Sequence, residues 1–177
     1  MIDFLRKLVK FFDSKRIPYM LSGSVAMSLY TGPRFTKDYD FIVHLKPVDV
    51  NDLLEEFKEG FYCDKDAVFD AIKNESMFNI IDLKSNYKTD IIILKNNPYR
   101  RAEFERREKT KFFDMMIDIV SKEDLLISKI IWIQELQSAL QMEDIKLLSA
   151  NWDMDWKYIN NWVKELNLKT FGLIKND

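Results

Sequence analysis

The chain has 177 residues, enough for one compact domain with a real core or for an α/β domain carrying a helical extension. Hydrophobic residues make up 47% and charged residues 32%, which excludes a disordered chain. Lys plus Arg number 27 against 29 for Asp plus Glu, a net charge of -2, so the chain is no bulk nucleic-acid binder and any such contact must come from a local patch.

Residues 2 to 15 place Ile2, Leu5, Leu8, Val9 and Phe12 at the spacing of an amphipathic helix, with Phe4 and Phe11 broadening the apolar face. The basic run Arg6-Lys7 and Lys10 is short, so this helix is expected to pack across a sheet and not to lie on a membrane. The opening residues lack a long apolar core followed by small residues, and no later stretch approaches the ~20 apolar residues of a membrane span. The cytoplasm is the expected location. Ile17-Pro18 then breaks the helix.

The next stretch organises the chain. Met20-Leu21-Ser22-Gly23-Ser24 reads as a strand and a tight turn, Val25 to Tyr30 as a short helix, and Asp38-Tyr39-Asp40-Phe41-Ile42-Val43 as a second strand. On a strand, residues two apart share a face, so Asp38 and Asp40 project together, with Thr36 and Arg34 beside them if the extension reaches back so far. Two adjacent acids call for a cation, and Mg²⁺ is taken up through one or two carboxylates plus substrate phosphates. Gly23 allows close backbone approach, and the helix after it aims its first amides, with the Ser22 and Ser24 hydroxyls, at whatever lies in the turn; this is an anion site. An anion site beside a cation site suits phosphoryl or nucleotidyl transfer.

Over Tyr19 to Val43 the sequence resembles the nucleotidyltransferase superfamily, the polymerase-beta-like fold marked by a hydrophobic strand, Gly-Ser, a helix, and Asp-x-Asp on the next strand. The resemblance implies a third acid on a later strand, for which Asp90, opening Ile91-Ile92-Ile93-Leu94, is the candidate. It implies two Mg²⁺ ions held by Asp38 and Asp40, with Asp90 binding one and orienting or accepting the acceptor hydroxyl proton. Gly23 and Ser24 would hold an NTP triphosphate, and Lys37 or Lys129 would neutralise phosphate charge. The small size, the Arg34-Phe35-Thr36 lead-in and the helical tail look most like the AbiEii-type group, which includes toxins of bacterial toxin–antitoxin pairs; that likeness implies an antitoxin protein as partner.

His44 closes the second strand and Cys63 follows later; one histidine and one cysteine leave no zinc cluster and no intramolecular disulfide. Pro47 and Asp49 start a helix over Val50 to Lys58 that stops at Gly60, and a further helix is expected over Ala67 to Lys73. Met77 to Leu83 is strand-like, Asn86-Tyr87 a turn, and Thr89 to Leu94 a buried strand. Read without the Gly-Ser and Asp-x-Asp, Asp90 is an ordinary strand-end acid.

Pro98 opens a charged helix from Tyr99 to about Glu108, with Arg100, Arg101, Arg106 and Arg107. Seven basic residues against three Glu between Lys95 and Lys111 read equally as the wall of a nucleotide or RNA groove and as a solvated helix with Glu–Arg pairing. Phe112 to Val120 is a last strand region, and Ser121-Lys122-Glu123-Asp124 a capping-box-like start to a long helix through Gln137. Lys129 lies among Leu125, Ile127, Ile130, Ile131 and Ile133, so it needs a partner or must reach water along its stem. In AbiEii-like relatives a lysine here faces the catalytic site and an acid follows in the next helix; Lys129 and Asp144 match those places, while Gln141-Met142-Glu143 stands where the relatives carry Arg. Trp152, Trp156, Tyr158, Ile159 and Trp162 are spaced for a tail helix.

The expected fold class is α+β, a mixed β-sheet flanked by helices, with a catalytic part over residues 1–120 and a helical part over 121–177 docked on it. Three functions compete: a metal-dependent nucleotidyltransferase acting on an RNA, protein or small-molecule hydroxyl; a catalytically inactive module of the same fold that binds a partner through Ala139 to Leu166; and, third, antibiotic modification, by analogy with aminoglycoside-modifying members of the superfamily it resembles.

Overall fold

The computed structural model describes residues 2–32, 36, 38–151 and 153–174. Arg34, Phe35, Lys37 and Trp152, named above, lie outside the described residues. The fold is α+β: seven strands form one mixed sheet in the order β3-β4-β5-β2-β1-β7-β6, where β1 is Tyr19–Ser22, β2 Asp38–Val43, β3 Phe61–Cys63, β4 Met77–Asp82, β5 Lys88–Ile93, β6 Glu108–Phe112 and β7 Met115–Ile119. β2 runs parallel to β5 and β1 parallel to β7, whereas the β1–β2, β3–β4, β4–β5 and β6–β7 pairs are antiparallel.

Alternation along β2 separates two functions. Tyr39, Phe41 and Val43 are buried on one face, where Phe4 and Phe12 of α1 (Ile2–Lys15) stack edge-on or tilted against Tyr39 and Phe41 at 6.5 and 5.7 Å between ring centroids. That apolar face holds the strand down. Asp38 and Asp40 therefore stand on the other. β5 repeats the pattern, with Thr89, Ile91 and Ile93 buried and Lys88 and Asp90 only partly so.

The first helix and the β1-to-β2 unit follow the sequence expectation, with α2 (Gly23–Thr31) beginning at the glycine itself. α3 (Val50–Glu56), α4 (Lys65–Asn74), α7 (Ala139–Ser149) and α8 (Trp156–Glu165) complete the helices together with α5 (Pro98–Glu105) and α6 (Lys122–Trp132). Three expectations need correction. β3 was not anticipated, because three residues at a sheet edge carry too little pattern. The charged helix ends at Glu105, and Glu108–Phe112 is an edge strand whose Glu108, Lys109 and Lys111 are exposed; such charges guard a sheet edge, and here they mimic a helical charge run. The long helix stops at Trp132 and not Gln137, where the Gln134 amide donates to the Ile130 carbonyl at 2.8 Å and to the Lys169 carbonyl at 2.9 Å, while accepting from the Lys169 amide at 3.0 Å.

One buried cluster runs through the molecule, from Phe12 and Phe41 to Leu126, Ile130, Ile145, Leu148 and Ile159. Polar groups tie α5, α6 and α8 together. Fully buried Asp124 accepts from Ser121 Oγ at 2.6 Å, Tyr158 Oη at 2.7 Å and Arg106 Nε at 3.0 Å. Glu103, also fully buried, accepts from Arg100 at 2.8 Å and Ser128 at 2.5 Å. Removing one partner of such a group strands the others. Asp124→Ala is expected to destabilise the protein by ~3 kcal/mol or more in urea melts; a loss within ~0.5 kcal/mol would show that the network is solvated and contributes little.

Candidate functional site

The site begins at the β1–α2 turn. Gly23 has φ +65°, and a Cβ there would lie 1.9 Å from Asp40 Oδ2 and 2.6 Å from its carboxyl carbon. Left-handed backbone and the seated carboxylate thus both demand glycine. Ser22, extended at φ -130°, places no side-chain cap on α2, and no acid stands in the first turn of that helix. Its first amides face the turn with the partial positive charge of a helix N-terminus. Ser24 is half-buried beside them.

Sheet register assembles the rest. Ser22 pairs with Asp40, Asp40 with Asp90, and Asp90 with Asn79, so one lateral row crosses β1, β2, β5 and β4. In the adjoining row of the same face, Asp38 pairs with Lys88. Lys88 Nζ lies 2.9 Å from Asp90 Oδ1 and 3.1 Å from Oδ2, and Asn79 Nδ2 donates a short bond to Asp90 Oδ1. Burial, then the charges of Asp90 and Asp38, raise the Asp40 pKa above the ordinary 3.8, and the Lys129 and Lys88 charges oppose that rise. The hydrogen bond to Asp90 leads in raising the Lys88 pKa, against a smaller effect of burial, with the charges of all three acids adding to it.

Lys129 projects from α6 with its side chain only 7% exposed, donating to Asp144 Oδ2 at 2.8 Å and to Gln141 Oε1 at 3.1 Å from α7. It is a fixed, paired cation and not a snorkelling one, and its field reaches Asp40. Gln141, standing where Arg was looked for, serves as its second acceptor.

Among the described residues no group of three or more His, Cys, Asp or Glu side chains is arranged as a ready-made metal cage. Asp90 is turned toward Lys88 and Asn79. The donor chemistry nevertheless suits Mg²⁺, which needs only one or two carboxylates when phosphates and water complete its shell, and Asp38 and Asp40 share one face at that spacing.

The arginine-rich stretch does not form an open basic wall. Arg100 is bound to Glu103 and Ser128, Arg106 to Asp124 and Glu123 with its guanidinium 4.0 Å above the Tyr158 ring, and Arg107 to the Phe104 carbonyl, near Asp118. Buried carboxylates claim Arg100 and Arg106, half-buried Asp118 lies near Arg107, and Arg101 is exposed. Lys88, Asn79 and Gln141 were missed in the sequence. Lys88 had a signal, its place two residues before Asp90 on a strand. Asn79 and Gln141 had none, since cross-strand and cross-helix partners depend on packing.

No protein-family model and no curated protein matches the chain. Solved structures do match it. The antibiotic-resistance factor ANT(2'')-Ia superposes with a TM-score of 0.64 at 10% identity, covering 94% of this chain and 90% of its own. The lincosamide antibiotic adenylyltransferase LnuA, lincomycin-bound, gives 0.56 at 17% identity over 82% of this chain and 94% of its own. A nucleotidyltransferase-like protein from Paracoccidioides brasiliensis gives 0.53 at 16% identity over 89% and 84%. The fold is nucleotidyltransferase-like. At these identities the likeness extends to the fold, which this chain shares with nucleotidyltransferase enzymes over most of its length.

Two measurements test the site's physics. Gly23→Ala should lose ~1–2 kcal/mol from left-handed strain alone, and more from displacing the Asp40 carboxylate; equal melts of parent and variant would mean that the turn is relaxed. Because the folded Asp40 pKa is raised, the folded state holds that proton more tightly than the unfolded one. The stability so contributed is full below the ordinary 3.8 and is lost as pH rises through the folded value. In EDTA, Asp40→Asn should therefore melt above the parent at neutral pH, with the gap closing in acid. A variant melting well below the parent would mean that Asp40 is a structural acceptor.

Proposed function

We propose that the protein is a metal-dependent nucleotidyltransferase that moves a nucleoside monophosphate from an NTP to an acceptor hydroxyl. The observation that carries this reading is the seating of the Asp40 carboxylate on the Gly23 turn, with Asp90 next to it in register. An anion-binding helix start and a carboxylate face then meet at one point.

In this reading the α2 amides, Gly23 and Ser24 hold the triphosphate, and Asp38 and Asp40 carry Mg²⁺. A Mg²⁺ ion held there would neutralise phosphate charge and, as a Lewis acid toward a phosphoryl oxygen, make the α-phosphorus more electrophilic. The acceptor oxygen bonds to that phosphorus as the bond to pyrophosphate breaks, and Asp90 accepts the hydroxyl proton once Lys88 has released it. Lys129, fixed by Asp144 and Gln141, supplies positive field without having to move; Lys37 is a second phosphate-neutralising candidate.

For the acceptor, small hydroxylated molecules come first. ANT(2'')-Ia has been solved with adenylyl-2''-tobramycin, at a TM-score of 0.63 and 11% identity, and LnuA with lincomycin. The AbiEii-type resemblance carries the rival, a toxin acting on RNA or protein and restrained by an antitoxin. With Arg100 and Arg107 engaged internally and the exposed Arg106 paired with Asp124 and Glu123, that rival is left with few of these charges for phosphate contact. The inactive partner-binding module is favoured by one feature, exposed Leu140 and Leu147 on α7. No helix among the described residues is long and apolar enough to cross a membrane.

Incubation with labelled NTP and Mg²⁺ against aminoglycosides, lincosamides, RNA and cell extract should label one acceptor class, and EDTA should stop it. If no NTP binds at millimolar concentration with metal present, the partner-binding module replaces the enzyme. Mg²⁺-NTP at a hundredfold excess over its dissociation constant should stabilise the parent by ~2.7 kcal/mol and Asp38→Asn hardly at all. Lys129→Met keeps much of the buried stem; a fall in transfer with the fold retained is expected, and unchanged transfer would remove Lys129 from the site.

A further inference from the structure

Two lysines stand at the acidic face, and they differ in kind. Lys129 is almost fully buried and locked between Asp144 and Gln141. Lys88 has a side chain 37% exposed, pairs with both oxygens of Asp90, and is the register neighbour of Asp38. Its flexible stem can carry the ammonium into water without disturbing the core. An exposed lysine–carboxylate pair is ordinarily a minor contribution to stability. Here, however, the pair sits on the face where Asp38, Asp40 and Asp90 project together, and Asn79 holds the Asp90 carboxylate from the other side.

Resting on the nucleotidyl-transfer reading, we infer that Lys88 is a displaceable counter-ion of the acidic face: it neutralises the carboxylates until a divalent cation arrives and competes with that cation for Asp90. Two positive ions cannot share the space cheaply. Even at the dielectric of bulk water, an ammonium about 6 Å from a divalent ion opposes it by roughly tenfold in affinity. The lysine thus weakens binding of the metal alone. A nucleotide triphosphate, adding negative charge to the same face, shifts the balance toward metal and gives the displaced ammonium a phosphate to meet. Metal loading in this chain is in that way tied to nucleotide loading.

Calorimetric titration of Mn²⁺ alone, without nucleotide, into the parent, Lys88→Met and Lys88→Arg tests it. Lys88→Met should bind Mn²⁺ about tenfold more tightly than the parent, and Lys88→Arg should stay near the parent because it keeps the charge. A structural lysine would not tighten metal binding when removed. Equal or weaker binding by Lys88→Met, or binding by neither protein at millimolar Mn²⁺, overturns the role of Lys88 and leaves the nucleotidyl-transfer reading standing, since that reading fails only if Mg²⁺-NTP does not bind. Should Lys88→Met fail to fold in EDTA, recovery on refolding with Mn²⁺ supports the inference, since the cation then replaces the lysine, and failure to recover overturns it.

Discussion

Like charge held at close range by a sheet is the constraint on which the rest of this molecule depends. Parallel pairing of β2 with β5 sets Asp40 beside Asp90, and the pleat adds Asp38 to the same face. The alternate side chains Tyr39, Phe41, Thr89 and Ile91 are buried on the opposite face, so the acids cannot be relieved by turning a strand over. Burial and mutual repulsion then disfavour the ionised form of Asp40, the central carboxylate.

The fold answers that repulsion in graded ways. Gly23 removes a side chain so that Asp40 can sit against the start of α2, where backbone dipoles oppose negative charge. Lys129 contributes a permanent positive field from the helical part, kept in place by its own acid, Asp144. Asn79 contributes a neutral donor, and Lys88 a partly exposed charge paired with Asp90. With Lys129 already paired to Asp144, three carboxylates against these two lysines leave the face net negative.

The same accounting of charge explains the arginines. A positive stretch is available to a polyanion only if its charges are not already spoken for, and Glu103, Asp124, Glu123 and Asp118 lie within reach of Arg100, Arg106 and Arg107. These pairs fasten α5 to α6 and, through Tyr158, to α8. The helix that carries Lys129 is thereby held by a polar network as well as by the shared apolar cluster.

Local order was legible in the amino-acid sequence wherever a period or a turn residue carried it: the amphipathic α1, the Gly23 turn, the Asp38–Asp40 alternation on β2, and the apolar run of β5 behind Asp90. Those features rest on contacts between residues near one another in the chain. The short strand Phe61–Cys63 and the charged edge strand Glu108–Phe112 escaped, because an edge strand is half solvated and its charges imitate a helix surface. The meeting of Asp40 with Asp90, the hold of Asn79 on Asp90, and the capture of Arg106 by buried Asp124 and Glu123 were decided by tertiary structure alone. Each joins segments distant in sequence, and no local propensity specifies which strand pairs with which or which ion finds its partner when the core closes.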